Sequence, residues 1–434
     1  MIKNLFAGLL PAVFAALILI SGCSGSAKDQ SAITVWHWMV DRHEVFVELA
    51  KQYYEETGIL VDFQLFAPSD IYSQKITAAA QARILPDIFG VLDVRSIFAK
   101  FIKNGFILNL NDSFNENNEE WKKSFFEKAL AVNVFEESNH YGVEPGIYAV
   151  PLDVTTEMMV YNKAVLQDLG VQAPPATFEE FLTLAEKIRA EGITPLVSGW
   201  SELWLIDCFA SNYAFNIMGQ DKVMATFRGE VPYTDPDWIK LFGIFQLLAQ
   251  KNIIDQGIVT KSNKFAEQDF ALGRAAFAFN GSWGVNVYHD MNPNITYGVM
   301  PPPAISKEYP FLVWGGAGSS FVINRGTPNK DKAIAFLKWL TQKEQQQFLA
   351  EKTKNLPANR YALADLPSEL YEFSKGMENS THPTIWPAEE DLLVKEKFTK
   401  GLQSIIIGEK EPEEVAREVQ EIKERQMQRA KNRR

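Results

Sequence analysis

A chain of 434 residues, 46% hydrophobic and 22% charged, has a globular composition and is too long for one hydrophobic core, so two or three domains are expected. Its net charge of −11 argues against nucleic acid as a partner, which calls for a basic stripe, and against electrostatic docking on anionic lipid. Two cysteines and five histidines, with no Cys-x-x-Cys and no His-Glu-x-x-His, leave no metal signature and call for no cofactor.

The chain opens on Lys3 and an apolar run from Leu5 to Ile20, 16 residues long, against the ~20 that cross a bilayer as a helix. A charged start, a short apolar stretch and small residues before a cut read as a secretory signal peptide. Leu19-Ile20-Ser21-Gly22-Cys23 resembles a bacterial lipoprotein signal, which is cut before the Cys and lipidated on its thiol. The expectation is a signal peptide over 1–22, lipid on Cys23 and a flexible stalk over 23–32. The protein would then be tethered to a membrane, facing the periplasm or the extracellular space. An ordinary signal peptide with an incidental Cys is the alternative. With Cys23 lipidated, Cys208 has no partner and reads as a small buried hydrophobe.

Ile33 to Trp36 reads as a strand. Val45, Phe46, Leu49 and Tyr53 have helical spacing within 44–56, and Gly58 stops that helix. A strand over 59–66, an Ala-rich helix over 75–84, a strand over 86–91 and a helix over 94–104 follow. Strands alternating with helices mean βαβ units and a parallel sheet. After a hairpin-like stretch near 141–151 the pattern restarts. Thr177-Phe178-Glu179-Glu180 is a capping box for a helix running to about Glu191, and Pro195 to Ser198 is a short strand. A second α/β lobe is the natural reading. Residues 219–265 are mostly helical in pattern, Asn329 caps a helix through Trp339, and Thr341 begins another. The tail from Glu409 is charged and helical in propensity.

In open α/β sheets ligands bind at the carboxyl ends of strands. The residues just past the expected strands are His37 and Trp38, then Asp93, Asp153 and Glu157, then Trp200, Trp204 and Trp283, with Trp314 in the Gly-rich run 314–318 and Trp386 late in the chain. Flat indole faces stack on sugar rings, and carboxylates beside them accept hydrogen bonds from hydroxyls. Each Trp also has a reading as core filler, above all Trp36, Trp121, Trp238 and Trp339. Asp93 and Asp153 read equally as helix caps or surface carboxylates, Glu157 can point either way on its strand, and His37 reads as a hydrogen-bonding core or rim residue.

Four stretches in this order resemble the extracellular solute-binding proteins of ABC importers, in the carbohydrate-binding cluster that includes maltose-binding protein. They are Leu85-Pro86-Asp87-Ile88-Phe89 with Asp93; Tyr148 to Asp153 running on to Val160-Tyr161-Asn162-Lys163; Pro174 to Phe181; and Gly273 to Phe277 with Asn280-Gly281-Ser282-Trp283. The resemblance implies two Rossmann-like α/β lobes joined by a three-segment hinge, the type II architecture of periplasmic binding proteins. The lobes would span 33–152 plus 321–368 and 156–315 plus 373–415, with a charged helical tail over 416–434. The crossings would lie near 153–156, 315–320 and 368–373, with Gly315, Gly316 and Gly318 as hinge residues. Implied ligand-binding positions are Trp38, Asp93, Asp153, Glu157, Trp200, Trp204, Trp283, Trp314, Gly315 and Trp386. The loop Trp36-His37-Trp38-Met39 lacks the small polar residues of maltose-binding protein, so maltose specificity does not carry over. The implied function is non-catalytic capture of a carbohydrate by lobe closure and delivery to the permease subunits of an ABC transporter, by a monomer. A polyamine, iron or peptide ligand, a glycoside hydrolase resting on Asp93 and Asp153, and a sensor role remain as alternatives.

Overall fold

The computed structural model describes residues 32–67, 69–91, 95–137, 139, 141–254, 256–316, 318–363, 366–381 and 390–432. The stretches expected as signal peptide and stalk, through residue 31 and with Cys23 among them, together with Asp93 and Trp386, lie outside the described residues.

The first lobe is built on alternation. In β1 (Ile33–His37) every second side chain is buried, and α1 (His43–Thr57) turns Phe46, Leu49, Ala50 and Tyr53 onto the same core. β2 (Val61–Leu65) pairs with β1 in parallel. α2 (Ser69–Ala82) leads to β3 (Ile88–Val91), also parallel to β1. β3 is buried at every position because it lies mid-sheet. α3 (Arg95–Lys103) covers it with Phe98, Ala99, Phe101 and Ile102. β4 (Val150–Pro151) forms the far edge, reached by the chain before it leaves for the second lobe.

The second lobe centres on β5 (Thr156–Asn162), followed by α4 (Phe178–Ala190), β6 (Thr194–Val197), α5 (Leu203–Arg228), α6 (Pro236–Gln250), α7 (Asn263–Ala271), β7 (Ala275–Gly281) and β8 (Tyr297–Met300). The capping box at α4 is formed in full, with Thr177 and Glu180 each bonding the other's backbone N–H. Helical structure starts at Leu203, well before Gly219, because the stretch is an all-round apolar core helix rather than an amphipathic one. β6 and β7 pair in parallel, but β5 runs antiparallel to β7 and β8. The sheet is therefore mixed, not parallel as the alternation of elements suggested: the first crossing delivers β5 running away from the hinge, while the βα units return β6 and β7 towards it.

β9 (Trp314–Gly315) pairs with β5, and the chain then returns to the first lobe as β10 (Ser320–Ile323), antiparallel to β3 and β4. The first sheet thus has the order β2-β1-β3-β10-β4. α8 (Lys330–Leu340) and α9 (Lys343–Thr353) complete that lobe. Thr341 does not begin α9: its hydroxyl donates to Leu337 O (2.7 Å) and accepts from Trp121 Nε1 (2.9 Å), closing α8 instead. α10 (Ser368–Lys375) already packs on β5 and β8, so the third crossing precedes Ser368 rather than occupying 368–373. α11 (Leu392–Ile406) and α12 (Pro412–Asn432) pack on α6. The stretch expected as a tail over 416–434 is, through Lys423, part of the second lobe, since Ala416, Val419 and Lys423 are buried.

The segments gather at one point. Gly315 pairs with Thr156 and the Gly316 N–H donates to Thr155 O (3.1 Å); ahead of the third crossing Leu356–Pro357 pairs with Asp153–Val154, and just past it Phe373 O accepts from the Thr156 hydroxyl (2.8 Å).

Candidate ligand-binding site

Strand direction places the site. β5 begins just past the first crossing, and Glu157 in it pairs with Gly281 at the end of β7. β6 runs parallel to β7. The carboxyl ends of β6 and β7 therefore open on the hinge side of the second lobe. In the first lobe, β10 begins just past the second crossing, and Ser320 pairs with Val91 at the end of β3. β1 is parallel to β3, so the carboxyl ends of β1 and β3 open on the hinge side as well. Trp38 follows β1, Trp204 follows β6 and Trp283 follows β7.

The indoles at these ends are held by their surroundings. The half-buried Trp38 ring lies against Gly90, where an added Cβ would stand 2.5 Å from its Cζ3, and packs 5.2 Å from the Tyr72 ring. Tyr72 is itself fixed by donating to Gly90 O (2.7 Å) and Trp36 O (3.1 Å). The Trp283 ring folds back over Gly281, where a Cβ would meet Cζ3 at 1.9 Å. Trp204 is 41% exposed, and its ring centroid is 5.7 Å from that of Trp283, with the planes at 57°. The two rings form an open corner, not a flat shelf.

Carboxylates stand behind this corner. Glu267, on α7, accepts at Oε1 from Trp283 Nε1 (3.2 Å), Asn263 Nδ2 (2.9 Å) and Asn280 Nδ2 (3.0 Å). Burial pushes its carboxyl above the usual range, and the donors from Asn280 and Trp283 pull it back. Glu202 accepts from Trp204 Nε1 (3.2 Å) at Oε2 and from the Asn263 N–H (2.8 Å) at Oε1. Asn263 and Glu267 are an i,i+4 pair legible as one helix face, but nothing in the sequence ties that face to Trp283 or Trp204, so the network goes unseen at that level.

Several expected contacts lie elsewhere. Trp200 is fully buried, its ring 5.2 Å from Phe209 and 5.6 Å from Phe245, so it belongs to the second lobe's core and not to a ligand surface. Glu157 is also fully buried. It faces α5 with the Cys208 thiol beside it; beyond that thiol its oxygens meet no hydrogen-bond partner among the described residues, and burial pushes its carboxyl up to about 8. Asp153 is buried and engaged: it pairs with Arg42 and accepts from the Ser319 N–H (2.7 Å) and hydroxyl (2.6 Å), while the same hydroxyl accepts from Arg42. Trp314 is half-buried, with its backbone paired to Glu157 and its N–H donating to Asn212 Oδ1 (2.8 Å). Gly315 is a close-approach position, where a Cβ would lie 2.8 Å from Thr156 Cγ2. His37 is buried in the core, its Nε2 3.2 Å from His43 Nδ1. Among the described residues, no cluster of three or more His, Cys, Asp or Glu could hold a metal, and no helix is long and apolar enough to cross a membrane.

Residues 39–347 match the family model described as bacterial extracellular solute-binding protein. The chain is 23% identical to a multiple sugar-binding protein of Streptococcus mutans, over 77% of this chain and 78% of that one. It is 23% identical to an ABC transporter extracellular-binding protein of Pyrococcus horikoshii, over 93% of this chain and 91% of that one. A solved structure titled as a chitin oligosaccharide binding protein superposes with a TM-score of 0.74 at 22% identity, over 90% of this chain and 98% of that one, which shows a shared two-lobed fold.

Proposed function

The chain belongs to the bacterial extracellular solute-binding protein family, and on that premise we propose that it captures a sugar or oligosaccharide between its lobes and delivers it to the permease subunits of an ABC importer. The observation that carries this reading is the Trp204–Trp283 corner at the carboxyl ends of β6 and β7, with Trp38 at the corresponding end of β1 in the other lobe. Indole faces suit the C–H faces of sugar rings, each contact contributing about 1 kcal/mol. The sugar-binding and ABC-transporter relatives support the classes of ligand and partner.

Capture follows from differential affinity. A ligand touching both lobes favours the closed form, and about 5.5 kcal/mol of preference swings a 1:99 equilibrium to 99:1. A few stacked rings with several hydrogen bonds are of that order. No chemical step is involved, and we expect no release of the leaving group from an aryl glycoside.

A cationic ligand such as a polyamine would need free carboxylates on the hinge side. Among the described residues, Asp153 is engaged by Arg42, Glu157 is buried, Glu267 is occupied by three N–H donors and Glu202 by two, which favours sugar. Outside the described residues, Cys23 is the proposed lipid attachment point; Cys23→Ser is expected to move the protein from the membrane to the soluble fraction. A monomer is expected by size-exclusion chromatography.

The deciding experiment is calorimetry and intrinsic fluorescence with maltotriose, raffinose, chitotriose and xylotriose, alongside small-angle scattering for compaction. Trp204→Ala and Trp283→Ala are each expected to weaken binding about fivefold or more, the equivalent of one lost stacking contact. A folded protein that ignores all four sugars and answers spermidine instead would overturn the sugar reading.

A further inference from the structure

The two indoles of the corner are not held by packing alone. Trp204 is 41% exposed, and a Trp side chain free to turn loses rotamer freedom when a ligand stacks on it. Yet both ring N–H groups end on carboxylate oxygens, Trp283 on Glu267 (3.2 Å) and Trp204 on Glu202 (3.2 Å). Asn263, the first residue of α7, joins the two carboxylates: its backbone N–H donates to Glu202 (2.8 Å) and its side-chain amide to Glu267 (2.9 Å). Asn280, one residue before the Gly281 on which the Trp283 ring rests, donates to Glu267 (3.0 Å) and to the Tyr288 hydroxyl (2.9 Å). A carboxylate is suited to this task, since one of its oxygens accepts several N–H donors at once and charge-assisted bonds are the stronger kind.

We propose that Glu267 and Glu202, coupled through Asn263, are positioning residues that set the angle of the Trp283–Trp204 corner before any ligand arrives. This rests on the reading of the corner as a sugar surface, but the geometric part stands apart from it. Neither carboxylate is assigned to touch the ligand; each acts through an indole. Preorganisation of this kind raises affinity by removing the ordering cost that a loose pair of rings would carry.

The test has a ligand-free arm and a binding arm. In ¹⁵N-labelled protein, Trp283→Phe and Trp204→Phe identify the two indole N–H resonances by their loss. Glu267→Leu, which removes the acceptor, is expected to move the Trp283 resonance upfield, and Glu267→Gln, which keeps an oxygen acceptor, to leave it nearly in place. Glu202→Ala is expected to move the Trp204 resonance in the same direction; Glu202 is half-buried, so this arm decides the matter even where Glu267→Leu fails to fold. In the binding arm, with maltotriose, raffinose and chitotriose as probes, Glu267→Leu and Glu202→Ala are expected to weaken whichever sugars bind by about three- to tenfold, with Glu267→Gln within twofold of the parent protein. Unmoved indole resonances in folded variants overturn the proposal. So does unchanged sugar affinity in both carboxylate variants where Trp283→Ala weakens it. A parent protein that binds none of the sugars defeats the sugar reading, and the indole resonances then decide the positioning role on their own.

Discussion

Glu157 shows how much one side chain's direction changes its meaning. It is the second residue of β5 in the second lobe, and strand position alone leaves it free to face a ligand or the core. It faces the core, beside Cys208 and Asp207, with Lys395 pairing to Asp207 at 3.3 Å. Its carboxyl ionises near 4.5 in the unfolded chain and near 8 in the folded one, so the folded state holds the proton more tightly. Its contribution is complete below the unfolded value and is lost as pH rises through the window to about 8, at roughly 1.4 kcal/mol per unit. Glu157→Gln, a neutral copy of the protonated acid, should remove this dependence. Urea unfolding is expected to show the variant clearly more stable than the parent at pH 8.5 and close to it at pH 4.5. Equal pH slopes in the two proteins would refute the assignment. Trp200 makes the same point: its place just past a strand suggests a ligand contact, but Phe209 and Phe245 claim the ring. Trp204, four residues on, stays exposed.

At the scale of elements, most helices and strands of the first lobe were legible because their apolar periods are clean. α1 ends at Gly58 and α4 begins at its capping box, as local rules require. α12 was less so. Its composition is charged enough to read as a fraying tail, and its anchorage depends on residues far away in sequence. Lys423 is buried, donating to Glu390 (2.7 and 2.8 Å) and to Phe227 O (2.6 Å), and the Tyr233 hydroxyl donates to the same carboxylate (2.8 Å). Removing one member of a buried pair strands the other charge, at about 3–5 kcal/mol. Lys423→Ala is therefore expected to lower the unfolding free energy by that order in chemical denaturation, and a chain cut after Lys410 to lose more, as Val415, Ala416 and Val419 leave the core. An unchanged denaturation midpoint in Lys423→Ala would mean that α12 is not held this way.

The whole molecule turns on where three crossings meet. Arg42, from the first lobe, reaches Asp153 on the first crossing and Ser319 on the second, tying two of the three strands of the hinge to one lobe. Asp153 is thereby held in the hinge region by Arg42 and Ser319. Asp153→Asn keeps the shape but loses the charge, leaving the half-buried Arg42 guanidinium underpaired; stability is expected to fall by about 1–3 kcal/mol, with sugar affinity measured on the folded variant changing less than in Trp283→Ala. An Asp153→Asn protein of parental stability that no longer binds sugar would reverse that ranking.

The sequence by itself determined the alternation of strands and helices, the existence of two α/β lobes and the placing of aromatic residues at strand ends, because these follow from local periodicity and turn chemistry. Only the tertiary structure decided which of those residues face the hinge side, that β5 runs against its neighbours, and that Glu202, Glu267 and Asn263 stand behind the two indoles. Those facts depend on strand direction and on hydrogen bonds between separate elements, Glu202 to Asn263 and Glu267 to Asn280 and Trp283, and such pairings leave no periodic trace in the chain.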